Sequence, residues 1–297
     1  MKKINRRRFL SSMSAIAAGG ILAACKPVQI TIQLPPDQSM NQSTATTEVR
    51  PTDTAIPTSE PTHTPTPDIT PTPINTYIPN LTEAHIEFLS THEVVEGDNN
   101  RKVVMMTYDD SGTFTQVSQI LEAFRKYPNC RATFFIIGNK ISQSKKVIPA
   151  ILEDGHVLGC HGWDHETPLS KKSDADIHSD FERCFEAMQK MIPGYVFEFV
   201  RFPWGDSVGN PRVLKIAAQW GMQHVYWTFG SGGLTRDTYR TVIDNVKPGS
   251  IVLSHMLRPY DCTQAGRIVD KLWEMGYSLE SLRTGRKPGD IYQLVSF

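Results

Sequence analysis

Four short stretches of this chain carry residues that could do chemistry together. The first is Thr107-Tyr108-Asp109-Asp110-Ser111-Gly112, an Asp pair at the end of an apolar run. Burying two neighbouring carboxylates is costly without a cation or hydrogen-bond donors; the competing reading is a solvated turn, where Asp is common. The second is Cys160-His161-Gly162-Trp163-Asp164-His165. Two His four residues apart converge on one metal when the segment is a helical turn or tight loop, and imidazole with one carboxylate suits Zn²⁺ while leaving positions open for water or substrate. An isolated His pair is more often surface or satisfied core, but here Asp110 offers the third ligand. The third and fourth stretches, Arg201-Phe202-Pro203-Trp204-Gly205 and Gly249-Ser250-Ile251-Val252-Leu253-Ser254-His255, are weaker alone. Arg201 reads equally as a surface charge and His255 as a plain loop residue.

The elements that must position these stretches alternate in type. Strand patterns fall at 102–107, 132–137, 156–160, 197–202, 223–228 and 250–254, and helix patterns at 115–127, 144–153, 173–191, 210–220, 237–245 and 262–275. Short apolar strands alternating with helices imply an α/β fold with a parallel sheet, open or closed into a barrel. In a barrel the chemistry sits at the C-terminal strand ends, and each of the four stretches lies at such an end.

Taken together and in order, the four stretches resemble the successive motifs of the polysaccharide deacetylases, carbohydrate esterase family four. The intervening segments Arg131-Ala132-Thr133-Phe134-Phe135-Ile136-Ile137-Gly138, Gly155-His156-Val157-Leu158-Gly159 and Leu169-Ser170 are similar as well, so the resemblance covers about 102–280. It implies a distorted (β/α) barrel of about seven parallel strands and metal-dependent removal of N- or O-linked acetyl groups from glycans. Carried over by motif, it makes Asp110, His161 and His165 the metal ligands and Asp109 the general base toward the attacking water. The implied metal is divalent, Zn²⁺ first, with Co²⁺ or another ion as alternatives. Arg201 pairs with Asp109, the Trp204 backbone N–H holds the developing oxyanion, His255 protonates the leaving group, and Leu253 with Trp204 lines the acetyl pocket. The expected substrate is a polysaccharide: peptidoglycan, a chitin-like polymer or acetylated xylan.

The chain departs from that pattern in two places. Ser111 stands between the Asp pair and Gly112, where the family usually has Gly directly. Gly230 and Gly233 stand where the family commonly has two Asp, one of which orients the acid His. Asp237 or Asp261 would have to supply that carboxylate from elsewhere. The glycines therefore keep a second reading open, a deacetylase-like domain that binds glycan without turnover. A third, hydrolysis of a small non-sugar amide, sits poorly with export.

Export is read from the N-terminus. Lys2, Lys3 and Arg6-Arg7-Arg8-Phe9-Leu10 precede an apolar stretch from Met13 to Ala24, too short for a mature spanning helix. Arg-Arg-x-Phe-Leu matches a twin-arginine signal, an ordinary secretory signal being the plainer reading. Leu22-Ala23-Ala24-Cys25 resembles the bacterial lipobox, with Cys25 as the lipidation site. The expected domains are thus 1–25, export signal with lipobox; 26–80, a Pro/Thr-rich linker with 11 of the 20 prolines; and 81–297, the catalytic domain. Such a linker cannot bury a core and reads as an extended spacer. The protein is expected outside the cytoplasm, touching the bacterial cell membrane through its N-terminal lipid only. Beyond residue 25 the chain carries 26 basic against 31 acidic residues, which sets nucleic acid aside as a partner.

Four cysteines remain after Cys25: Cys130, Cys160, Cys184 and Cys262. Two disulfides or buried thiols fit equally. Among other conspicuous residues, His156 reads as a satisfied core residue, Trp163 and Trp220 as packing, His178 and His224 as residues without partners, and Asp164 as a solvated loop residue rather than a support for a ligand His. His63, His85 and His92 carry no signal.

Overall fold

The computed structural model describes residues 77, 78 and 80–290. The export signal, Cys25 and nearly all of the linker lie outside the described residues. So do the last residues of the chain, from 291.

The domain enters on helix α1 (Glu83–Thr91), which starts with a capping box in which Thr82 and His85 satisfy each other's backbone N–H groups. Strands and helices then alternate: β1 (Val103–Asp109), α2 (Phe114–Arg125), β2 (Thr133–Ile136), α3 (Val147–Glu153), β3 (Val157–Cys160), α4 (Asp174–Met191), β4 (Phe199–Val200), α5 (Pro211–Gln219), β5 (Gln223–His224), β6 (Phe229–Gly230), α6 (Thr238–Asn245) and β7 (Ser250–His255). The chain closes with α7 (Pro259–Thr263), α8 (Ala265–Glu274), β8 (Ser278–Leu279) and α9 (Leu282–Gly285).

Helix starts follow local chemistry. Thr113 and Gln116 form a capping box on α2, Ser173 caps α4, and Asn210 caps α5 with Pro211 in its first turn. Helix α8 turns Ala265, Ile268, Val269 and Leu272 to the core at the spacing of a 3.6-residue period.

The strands form a parallel sheet in the order β5-β4-β3-β2-β1-β7-β6, with β8 paired to the start of β1. This is the expected α/β fold, a distorted and open barrel of seven parallel strands with helices outside. All seven residues of β1 are buried, as for a strand covered on both faces. Alternation along the strands divides them between two cores. Val104, Met106, Phe134, Leu158, Val200 and Val252 face the helix layer. Met105, Phe135, Val157, Phe199 and Ile251 fill the barrel interior.

Each expected strand and helix is present to within a few residues, but the 197–202 pattern keeps only Phe199–Val200 as strand, and the 223–228 pattern is shorter too. It forms β5, after which Val225 bridges to Val94. The two-residue strands β6 and β8 and helix α1 carry too little periodic sequence to be expected.

Candidate active site

The interior alternation continues past the apolar layer and delivers the polar residues. On β1, Met105, Thr107 and Asp109 share the inward face, and on β7 so do Ile251, Leu253 and His255. Register then sets Leu253 beside Thr107 and His255 beside Asp109. From β3 and β4 the same parity brings His161 and Arg201 inward, each one residue beyond its strand.

Asp110 breaks the alternation. It takes a left-handed backbone conformation, φ 74°, at an energetic cost to a residue other than Gly. The strand ends at Asp109, and the reversal occurs at Asp110 itself rather than at Ser111-Gly112. Gly112 has another role, since a Cβ there would fall 2.4 Å from the Met256 carbonyl oxygen. The close approach of the loops after β1 and β7 admits no side chain.

Asp110, His161 and His165 offer donor atoms that all lie within 4.8 Å of one another. Asp110 Oδ1 is 3.6 Å from His161 Nε2 and 3.3 Å from His165 Nε2. His161 Nδ1 lies 2.7 Å from the Arg201 carbonyl oxygen, which fixes that ring with Nε2 toward the carboxylates. Asp110 Oδ1 and His165 Nε2 are both buried without a hydrogen-bond partner. Two orphaned polar atoms facing one point cost free energy, and a cation between them satisfies both. One carboxylate and two imidazoles fit a divalent metal.

Electrostatics follow from this crowding. Burial alone would raise the Asp110 carboxyl, but the His161 imidazole beside it, with His255 and His165 nearby, holds it below its ordinary value. Burial pulls His161 down, and Asp109 and Asp110 more than offset it, so that ring is raised. Burial and the neighbouring His161 lower His165.

Asp109 lies beside this cluster, its Oδ2 3.7 Å from His161 Nε2. Its Oδ1 accepts a 2.8 Å hydrogen bond from Arg201 Nη1. Arg201 is not a surface charge: it is fully buried. It donates also to Thr107 Oγ1 and to the Val225 and Tyr226 carbonyls, with its guanidinium 4.3 Å from the Phe135 ring centre. Burial lowers Arg201 from its ordinary value and the Asp109 charge offsets part of that.

Trp204 has φ 58° and ψ 5° within the turn Pro203–Gly205. Its side chain is 53% exposed, with the ring centre 4.9 Å from that of His165. Leu253 is half-buried on β7. His255 ends β7 with its Nδ1 buried and without a hydrogen-bond partner.

Asp237 lies exposed at the start of α6. Asp261, by contrast, is buried, its Oδ2 3.7 Å from His255 Nδ1.

Several other residues also acquire definite roles. His156 is core and accepts a hydrogen bond from the Ala132 N–H. His178 and His224 are corrected: His178 Nδ1 accepts from the Trp220 indole, and His224 Nδ1 lies 2.8 Å from Glu93. Trp220 is buried, and Trp163 packs against the core with Arg183 over its ring. Asp164 accepts the Glu166 N–H and lies 3.6 Å from Lys172, so it braces its loop rather than facing solvent alone. The four cysteines of the domain are free and buried.

A family model for polysaccharide deacetylase matches residues 96–225, the segment that holds Asp109, Asp110, His161, His165, Arg201 and Trp204. Across that segment the chain is similar to the polysaccharide deacetylases, carbohydrate esterase family four. Over 197 residues it is 24% identical to a peptidoglycan-N-acetylglucosamine deacetylase of Listeria monocytogenes, a match covering 64% of this chain and only 40% of that protein. It is 28% identical over 192 residues to a peptidoglycan-N-acetylglucosamine deacetylase of Bacillus cereus, covering 61% of this chain and 87% of the relative. The same fold occurs in a CE4-family pseudoenzyme from Bacillus anthracis, with a TM-score of 0.60 at 21% identity, covering 65% of this chain and 68% of that one.

Proposed function

We propose that this chain is a divalent-metal-dependent deacetylase acting on cell-wall glycan outside the cytoplasm, held to the membrane through lipid on Cys25 and spaced from it by residues 26–80. The observation that carries the reading is the convergence of the unpartnered Asp110 Oδ1 and His165 Nε2 with His161, beside an Asp109 that Arg201 pairs. The similarity to deacetylases of peptidoglycan points to N-acetylated wall sugars as the substrate. Chitin-like polymers and acetylated xylan are the other substrates to test.

Asp110, His161 and His165 would hold the metal, which supplies Lewis acidity toward the acetyl carbonyl and the attacking water. Asp109 accepts a proton from that water as its oxygen bonds to the carbonyl carbon. Arg201 keeps the Asp109 carboxylate aimed at the site. The Trp204 N–H, in a turn where that residue takes a left-handed backbone, donates to the carbonyl oxygen as negative charge develops there. The C–N or C–O bond then breaks, its electron pair passing to the sugar nitrogen or oxygen, and His255 donates the proton that completes the free amine or hydroxyl. Acetate is the other product. Leu253 and Trp204 confine the acetyl methyl.

The runner-up, a glycan-binding domain without turnover, draws on one observation: a Cβ at Gly230 would meet nothing within 4 Å, so no side chain fills that corner. The test is acetate release by the full chain with Zn²⁺ or Co²⁺, using peptidoglycan fragments, chito-oligomers and acetylated xylan. Metal-dependent release that Asp109→Asn abolishes is expected. Stoichiometric metal with no release from any of them would overturn the hydrolase and leave the binding protein.

A further inference from the structure

The second glycine, Gly233, has no such empty corner. A Cβ built there would lie 2.1 Å from Asp261 Oδ2, 2.5 Å from its Cγ and 2.9 Å from its Oδ1. The whole Asp261 carboxylate therefore occupies the space into which a side chain at 233 would grow. Asp261 comes from α7, six residues beyond His255 in sequence, and is 1% exposed.

Both of its oxygens are engaged. Oδ2 accepts the His255 backbone N–H at 2.8 Å and stands 3.7 Å from His255 Nδ1. Oδ1 accepts from the Ser231 hydroxyl, and Ser231 Oγ in turn receives the Gly233 N–H. Ser231 is fully buried, so the carboxylate is clamped at once from the residue after β6 and from the end of β7. A buried carboxylate needs donors and a nearby positive partner to be tolerated. The donors are Ser231 and the His255 N–H, and the group that can carry positive charge next to it is the His255 ring. At 3.7 Å the contact is one of charge and orientation rather than a hydrogen bond. The buried Nδ1 edge faces Asp261, which leaves Nε2 on the opposite edge of the ring.

We propose that Asp261 is the positioning residue of His255, doing from α7 what a carboxylate at 233 would do from the loop after β6. The inference rests on the hydrolase reading above. In the breakdown step the C–N bond cleaves, its electron pair stays on the leaving nitrogen, and the His255 Nε2 proton moves to that nitrogen. His255 ends neutral, and Asp261 keeps its Nδ1 side fixed throughout as the counter-charge of the protonated ring. Asp261 takes up no proton and touches no substrate atom. On this account the glycines at 230 and 233 are not a sign of lost turnover: one position is dispensable and the other is vacated for Asp261.

Leaving groups separate positioning from mere structure. Nitrophenolate departs from 4-nitrophenyl acetate without needing a proton, whereas the amine of an N-acetylated amino sugar needs one. With the Zn²⁺-loaded full chain, Asp261→Asn should lower kcat on N-acetylglucosamine oligomers by about 10- to 100-fold. KM should barely change and 4-nitrophenyl acetate hydrolysis should be nearly retained. Gly233→Asp alone should lose activity through the clash, and Asp261→Ala with Gly233→Asp should recover most of the oligomer rate. In the unmodified protein, ¹⁵N shifts of the neutral His255 ring should put its proton on Nδ1, facing Asp261.

Equal losses on both substrates, an unchanged oligomer rate in Asp261→Asn, or a ring proton on Nε2 with Nδ1 bare would each overturn the proposal. If Asp261→Asn does not fold, the relocated carboxylate and the ring tautomer decide. An unmodified protein that binds Zn²⁺ but hydrolyses neither substrate would instead overturn the hydrolase reading, and this inference with it.

Discussion

The two halves of the site are built differently. On the side proposed to hold a metal, at the ends of β1 and β3, every polar residue comes from a compact motif, and the residues meet because strand parity and one left-handed Asp bring them together. On the side of the proposed acid, at the ends of β6 and β7, the motif supplies only His255. Its carboxylate neighbour arrives from a short helix whose sequence, Pro259-Tyr260-Asp261-Cys262-Thr263, carries no pattern of its own. Geometry that must meet a metal fixes residue identity and spacing together. A carboxylate that only has to reach one edge of an imidazole can come from any element that passes nearby.

That contrast can be broken most forcefully on the metal side. Asp109→Asn should cut deacetylation by about 10²–10⁴-fold, the usual worth of general acid–base catalysis, while one metal per chain remains bound; acetate release and metal content of the same sample check it. Loss of metal together with activity would mean Asp109 is a ligand instead.

Arg201→Met should destabilise the fold by about 3–5 kcal/mol, because it strands the buried Asp109 charge. Urea unfolding measures this, and a loss below about 1 kcal/mol would show that the pair is not held as described.

A smaller effect comes from His156, outside both halves. Burial lowers its pKa from 6.5 to about 4, and its Nδ1 must stay unprotonated to accept the Ala132 N–H. Between those values the unfolded chain binds the extra proton, so stability rises with pH. The contribution is complete above pH 6.5 and is lost as pH falls toward 4, in total about 3 kcal/mol. Replacing His156 by Gln, which retains an acceptor, should flatten that part of the stability–pH curve.

The smallest effect sharpens the acid side. Gly230→Asp, pointing into open space, should change stability by less than about 0.5 kcal/mol. Gly233→Asp should cost far more, so paired melting curves of the two variants separate a vacant corner from a filled one.

How much of this was legible in the sequence follows the same division. The alternating apolar runs located the barrel strands, and the residue types at their ends located Asp109, Asp110, His161, His165, Arg201 and His255, because short-range spacing encodes both. The left-handed turn at Asp110 was not legible, since Ser111-Gly112 carried the stronger turn signal while the strain falls on a residue chosen for its carboxylate. Asp261 was visible only as one of two acids in reach. Nothing local distinguished it from Asp237, because its place depends on α7 folding back over Gly233. The partners of His178 and His224 were likewise hidden, both lying far away in sequence, at Trp220 and Glu93.

The most direct test of the central claim is a titration of the metal-free full chain with Zn²⁺, following acetate release from N-acetylated peptidoglycan fragments. Activity should rise in proportion to metal and stop at about one Zn²⁺ per chain, as a single Asp110-His161-His165 site requires. Release that is already complete without metal, or a site that fills to one equivalent while no acetate appears, would contradict the account.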